Sequence, residues 1–334
     1  MKTFGDFSTK KDWYTLLLSL LVVTLHFPNG YFARNDTAIA RGITAFIFKW
    51  TGAVVLFAVM VFFVMSEYMM FRNARADQLP RKLKTRAVSL VFPLLCWNTI
   101  YFVLSHKLDA NLTFRDIVSS VLFYGDNGAA WYLFNLIVFT AFCYPIFYIM
   151  KNRFTGLALI AAFAVLQILN VPFPLQLRWD SAFYYLIGAW LDMHSSKIVE
   201  IHSKSKSIIG IAGIAVLICG FAVGNALQIP ALKSMSLIGC CLATWFVLDL
   251  ISLPKLPKNI SSVSFTIYVS HGLLLRLFSF AVLKLFAVTA YTALILFFAY
   301  PILVLIFSVY FVKLVQKSKI ATMCLLGGRV KEIA

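Results

Sequence analysis

The feature that most constrains this chain is repetition. Ten apolar runs follow one another from end to end, at about 12–30, 51–71, 87–105, 129–150, 154–171, 181–193, 207–224, 233–253, 260–282 and 286–312. As a helix rising about 1.5 Å per residue, a run of roughly twenty residues matches the ~30 Å hydrocarbon core of a bilayer. Lipid offers the backbone no hydrogen-bond partner, so a spanning segment must be a helix or part of a closed barrel. These runs are continuous rather than alternating, which selects helices. The expected fold is therefore all-α and polytopic, about ten transmembrane helices forming one domain over residues 1–334. The sixth run is short and must borrow its flanks. With 61% apolar and 13% charged side chains, an ordinary soluble domain is excluded. The first run lacks a small-residue cleavage site and is followed by Pro28-Asn29-Gly30, so it reads as a retained helix.

A net charge of +17 invites a nucleic-acid reading, but the placement of the charge argues against it. With the N-terminus inside, alternate loops and the two tails hold 21 of the 30 Lys and Arg residues. Cytoplasmic segments carry such an excess, so both termini and residues 72–86 are predicted inside, with 31–41 and 106–128 outside. The charge is then mostly topogenic, with some attraction to anionic lipid. Cys96, Cys143, Cys219, Cys240, Cys241 and Cys324 lie almost wholly in apolar runs without metal-like spacing, and read as small core residues. No metal site, Gly-rich phosphate loop or nucleophile elbow is found. The sequons at Asn35, Asn111 and Asn259 read as chance.

Ionisable residues inside apolar runs are the candidates for chemistry, since each costs roughly 2.5–3.5 kcal/mol on insertion scales. The first run has Asp12 at its inner edge and His26 near its outer end. His26 suits a general base, or is an interfacial histidine solvated by headgroups. Arg72, Arg75, Arg81, Lys82, Lys84 and Arg86 crowd one inner loop, as an anion site or as a topogenic signal alone. Trp131, Tyr132, Trp179 and Trp190 read first as interface-belt aromatics and second as platforms for a sugar ring. Ser270 and His271 are neighbours, but adjacent helical residues point about 100° apart and form no dyad by adjacency. His271 lines a site or makes a packing hydrogen bond. Asp249 reads as half of a helix-packing pair, and Lys49 as part of an interfacial segment.

Several landmarks in order resemble one family. Asp12 and His26, with LLVVTLH leading to the histidine, are similar to the first span of the acyltransferase-3 membrane family, which has Asp, then Arg, ten apolar residues and His. FFVMSEY (62–68) resembles its Phe-Phe-x-x-Ser-Gly-Tyr pattern, and the basic stretch with Pro93-x-x-x-Trp97 follows as expected. AAWYLFNL and SFTIYVSH resemble two later landmarks. The chain departs at Thr15, where the family has Arg, at Glu67, where it has Gly, and at Arg81-x-x-Lys84, in place of Arg-x-x-Arg.

The resemblance implies a bacterial inner-membrane O-acyltransferase. It would move an acyl group, usually acetyl from cytosolic acetyl-CoA, to a sugar hydroxyl of an envelope glycan such as O-antigen or exopolysaccharide, with no permanently bound cofactor. Its partners would be acyl-CoA, a glycan or lipid-linked sugar, and membrane lipid. Under it, His26 is the base, supported by Asp12. Arg72, Arg81, Lys84 and Arg86 meet the phosphates of CoA, and Lys11 supplies the cation missing at Thr15. Trp131, Trp179, Asp180 and His271 contact the acceptor. Asp36, Asp126 or Asp180 would orient His26, while Glu67, at the opposite membrane face, pairs with nearby Arg or with Lys11. Two other readings stand beside this one: a transporter or flippase of glycan intermediates, and a family member that binds ligand without turnover.

Overall fold

A computed structural model describes residues 7–27, 42, 45, 55–106, 112–173, 177–201, 203–285 and 289–329. Among the described residues, each of the ten apolar runs contains helix. In chain order the helices are α1 (Phe7–Leu25), α2 (Phe57–Phe71), α3 (Leu79–His106), α4 (Phe114–Val118), α5 (Trp131–Ala141), α6 (Cys143–Met150), α7 (Arg153–Ile168), α8 (Trp179–Glu200), α9 (Ser207–Ala226), α10 (Pro230–Ser236), α11 (Ile238–Val247), α12 (Ile260–Leu285), α13 (Ala290–Val315) and α14 (Lys319–Leu326). No strand occurs among the described residues.

Among the described residues, five helical segments are long and apolar enough to cross a membrane, or six if the bent pair α5–α6 counts as one span. The other four of the ten expected runs lie in α1, α2, α7 and α8. Helix α7 has 16 residues. Helix α1 carries Lys10, Lys11 and Asp12 in its first turns, and α8 holds Asp180, Asp192, Lys197 and Glu200. The run ending in α2 is described only from residue 55.

The chain forms two compact units, each discontinuous in sequence. The first contains Met1–Tyr14, Phe57–Arg86 and Asn135–Leu256. Close approaches hold it together: a Cβ added at Gly188 of α8 would collide with the Val64 carbonyl oxygen of α2, and one added at Gly239 of α11 with the Gly213 carbonyl oxygen of α9. Lipid drives helices together weakly, so small residues that admit close backbone packing matter at such crossings. Below that crossing, Met70, Phe71, Leu79, Cys143 and Phe147 form a buried apolar cluster. Cys143, Cys240 and Cys241 are buried and unpaired, as core cysteines should be.

The second unit contains Thr15–Leu56, Ala87–Phe134 and Pro257–Ala334. Its long helices α12 and α13 pack together, and the short α14 closes against both. Trp97 of α3 donates its indole N–H to the Leu325 carbonyl at 3.1 Å and sets its ring on Phe311. This unit holds the largest cavity described below.

Candidate functional site

A cavity of about 540 Å³ opens in the second unit, lined by His26, Tyr101, Asn127, Gly128, Ala129, His271, Gly272, Leu275, Arg276, Ser279, Phe280 and Leu283. Its volume falls within the roughly 300–1,000 Å³ typical of small-molecule sites. His26 is delivered by the last turn of α1, where its N–H still bonds the Val22 carbonyl at 3.2 Å. The next residue, Phe27, is buried against Phe297 and Tyr300 of α13, with ring centroids 5.5 and 5.4 Å away. Apolar packing thus fixes the chain directly after the histidine, while His26 itself stays exposed to the cavity.

Across from it stands His271 of α12, 1% exposed, with ring centroids 4.9 Å apart and planes tilted by 40°. His271 Nδ1 lies 2.6 Å from the Tyr268 carbonyl oxygen of its own helix. A carbonyl only accepts, so Nδ1 carries the proton and Nε2 presents a lone pair. Ser270 does not share in this. Its hydroxyl donates to the Thr266 carbonyl one turn back at 2.7 Å, which commits its proton away from the histidine.

Further polar lining comes from Arg276 and Ser279 of α12, from Tyr101 of α3 and from Asn127 in the turn before α5. Asn98 of α3 donates to the Val121 and Phe123 carbonyls, at 3.1 and 2.7 Å, where the backbone leaves the α-helical pattern. Its own carbonyl oxygen takes a hydrogen bond from Asn127 at 3.2 Å. Asn127 is 3% exposed, and its Oδ1 has no hydrogen-bond partner. A buried acceptor left so at a cavity wall is a feature of ligand sites. Tyr268 anchors the same turn by donating to the Ala129 carbonyl. No carboxylate lines the cavity among the described residues.

A family model described as an acyltransferase domain matches residues 13–313, nearly the whole chain and every element of this cavity. The chain belongs to the acyltransferase-3 family. Neither the curated proteins nor the solved structures give a match. With its apolar helices, the chain is a multi-pass membrane acyltransferase.

The structure gathers some of the acyltransferase's expected site residues and disperses others. His26 and His271 come together; Trp131 opens α5 two residues beyond the lining. Asp12 forms an ion pair with Lys11 at 2.9 Å. Along α1 it stands about 21 Å from His26 by helical rise, out of direct reach. Asp126 is bonded to His106, and Asp36 lies outside the described residues, as do Lys49, Asn35 and Asn111. Asp180 is held in the first unit by Arg178, at 2.5 and 3.0 Å, and by the Ser181 N–H at the start of α8. Trp179 there stacks on Phe173 and donates to the Val171 carbonyl.

The basic stretch also divides. Arg72 pairs with Glu200 at 2.8 Å, and the Tyr68 hydroxyl donates to the same carboxylate. Lys82 donates to the Met70 and Arg72 carbonyls, both at 2.8 Å, capping the C-terminus of α2. Arg86 grips the hydroxyl and the carbonyl of Ser66. Arg81 and Lys84 remain exposed. Glu67 is fully buried beside Tyr185, with Arg86 and Lys82 in electrostatic reach. The buried cation of α1 is Lys10 rather than Lys11. It is 4% exposed, bonds Asp249 at 2.5 Å and lies 4.2 Å over the Trp245 ring. Tyr101, Asn127, Arg276 and Lys10 had not stood out in the sequence. A tyrosine four residues after Trp97 or a second lysine beside Lys11 carries no local mark of its surroundings.

Proposed function

We propose that the protein transfers an acyl group, acetyl from acetyl-CoA, to a sugar hydroxyl of an envelope glycan, with His26 as the base. The observation that carries this reading is the pair of histidines, ring centroids 4.9 Å apart, on the wall of a cavity that no carboxylate lines among the described residues. A sugar hydroxyl is a poor nucleophile, and a positioned base contributes about 10²–10⁴-fold to its reaction. His26 takes the hydroxyl proton as the oxygen attacks the thioester carbonyl carbon. The C–S bond then breaks, and the leaving thiolate takes the proton back from the imidazolium. An ester and a free thiol result. His271, with its protonation fixed by Tyr268, turns the Nε2 lone pair toward the cavity beside His26.

Arg81 and Lys84, exposed at the start of α3, supply cations for the phosphates of the donor, while Arg72, Lys82 and Arg86 hold the helices that present them. The reading places the chain in a bacterial inner membrane with both termini and residues 72–86 in the cytoplasm. The full chain in lipid nanodiscs, given acetyl-CoA and methyl glycosides, should release CoA thiol and form acetylated glycoside. Absence of thiol release at any glycoside would overturn the reading in favour of ligand transport. Modification of a cysteine placed at Asp77 by an impermeant outside reagent would overturn the topology.

A further inference from the structure

Tyr101 of α3 is 2% exposed and reaches the cavity wall between His271 and Leu275. The Leu273 backbone N–H donates to its phenolic oxygen at 2.7 Å. That bond occupies a lone pair and turns the oxygen into a group whose remaining role is to donate its proton. Among the described residues no acceptor for that proton is found. The approach depends on the residue beside the histidine: a Cβ added at Gly272 would stand 2.9 Å from the phenolic oxygen. His271-Gly272 thus brings a base-side imidazole and a preorganised O–H donor to adjacent positions on one wall. The charge of that wall is suited to an anion. Arg276 is its one permanently charged side chain among the described residues, and it is a cation.

We propose that Tyr101 donates its phenolic proton as a hydrogen bond to the oxyanion formed in acyl transfer. The inference rests on the acyl-transfer reading above and assigns that reaction a further catalytic residue. When the acceptor hydroxyl adds to the thioester carbonyl, the C=O π pair moves onto oxygen and the tetrahedral intermediate carries a negative charge. The Tyr101 O–H meets that charge; it keeps its proton, and the charge returns to carbon as the C–S bond breaks. Donors fixed before the reaction need no reorganisation as charge develops, which is why one such group weighs heavily.

The test uses the full chain in nanodiscs, acetyl-CoA as donor and methyl glycosides as acceptors. Y101F is expected to lower kcat by about 10²–10³-fold, the cost of one oxyanion donor, with KM for acetyl-CoA changed by less than about threefold. G272A, whose added methyl crowds the Tyr101 phenol without removing its hydroxyl, is expected to lower kcat partway. Incorporation of 3-fluorotyrosine at position 101 keeps the shape of the side chain and makes the phenol a stronger donor, so kcat should rise. If Y101F fails to accumulate in the membrane, the fluorinated protein decides alone. An active wild type whose Y101F turns over within about threefold, or whose kcat ignores fluorination, would overturn this role and leave the acyl-transfer reading standing. A wild type that releases no thiol would overturn both.

Discussion

Two pairs of ionisable residues, one in each unit, put burial to opposite uses. Lys10 and Asp249 touch at 2.5 Å, are 4% and 0% exposed, and are roofed by Trp245. His26 and His271 stand 4.9 Å apart between centroids, one exposed and one buried, on the wall of a cavity. The first pair is closed: both partners are buried and each answers the other. In the second pair, one proton is pinned by Tyr268, and a lone pair and a whole ring face open volume. A closed pair holds helices in register, whereas an open pair has valences left for a ligand.

That contrast predicts different failures. His26→Ala should lose acyl transfer by about 10²–10⁴-fold while the protein accumulates and melts as the wild type does. Glycan from a strain carrying only this variant, weighed by mass spectrometry, should lack the added acyl groups; substantial acylation would remove His26 from its role. Lys10→Met should do the reverse. Stranding Asp249 without its partner costs about 3–5 kcal/mol, to be read as a fall in Tm, and the double variant Lys10→Met, Asp249→Leu should recover most of it. If the single variant melts normally but fails to turn over, the closed pair is catalytic and the comparison collapses. Smaller effects are expected from exposed cations. Neutralising Arg81 and Lys84 together should raise KM for acetyl-CoA several-fold, less so at higher salt where screening already weakens the wild type's hold on the phosphates, and leave Tm unchanged. Lys11→Ala, with Thr15→Arg added as a rescue, should show the smallest effect, because the Lys11 charge is already shared with Asp12. A strong loss there, restored by the arginine, would sharpen the picture by giving α1 two working cations.

The sequence made the helices legible for a simple reason: a bilayer demands continuous apolar runs, and such runs are visible without any knowledge of packing. Even so, α7 is too short, and α1 and α8 too charged, to meet a span's requirements by length and composition, which a hydropathy pattern blurs. The site was half legible. His26 stood out as a histidine in an apolar run, and His271 as part of SFTIYVSH, but nothing in their spacing says that residues 245 positions apart share a cavity wall. Which of two adjacent lysines is buried depends on the rotation of α1 against Asp249, a tertiary fact. Among the described residues, what faces His26 is an imidazole, since the groups that reach the cavity there come from α3, α12 and the turn before α5 as Tyr101, His271 and Asn127; Asp36 lies outside the described residues.

The wedge formed by Phe27 has a consequence for the order of events in a turnover. With its ring seated on Phe297 and Tyr300, this residue ties the carboxyl end of α1 to α13 one peptide beyond the base. Loading and unloading of substrate therefore need not loosen the imidazole. Substitutions at apolar wall positions such as Leu275 or Leu283 should shift substrate range at constant intrinsic reactivity, whereas shaving Phe27 would blur the aim of His26 for every substrate alike.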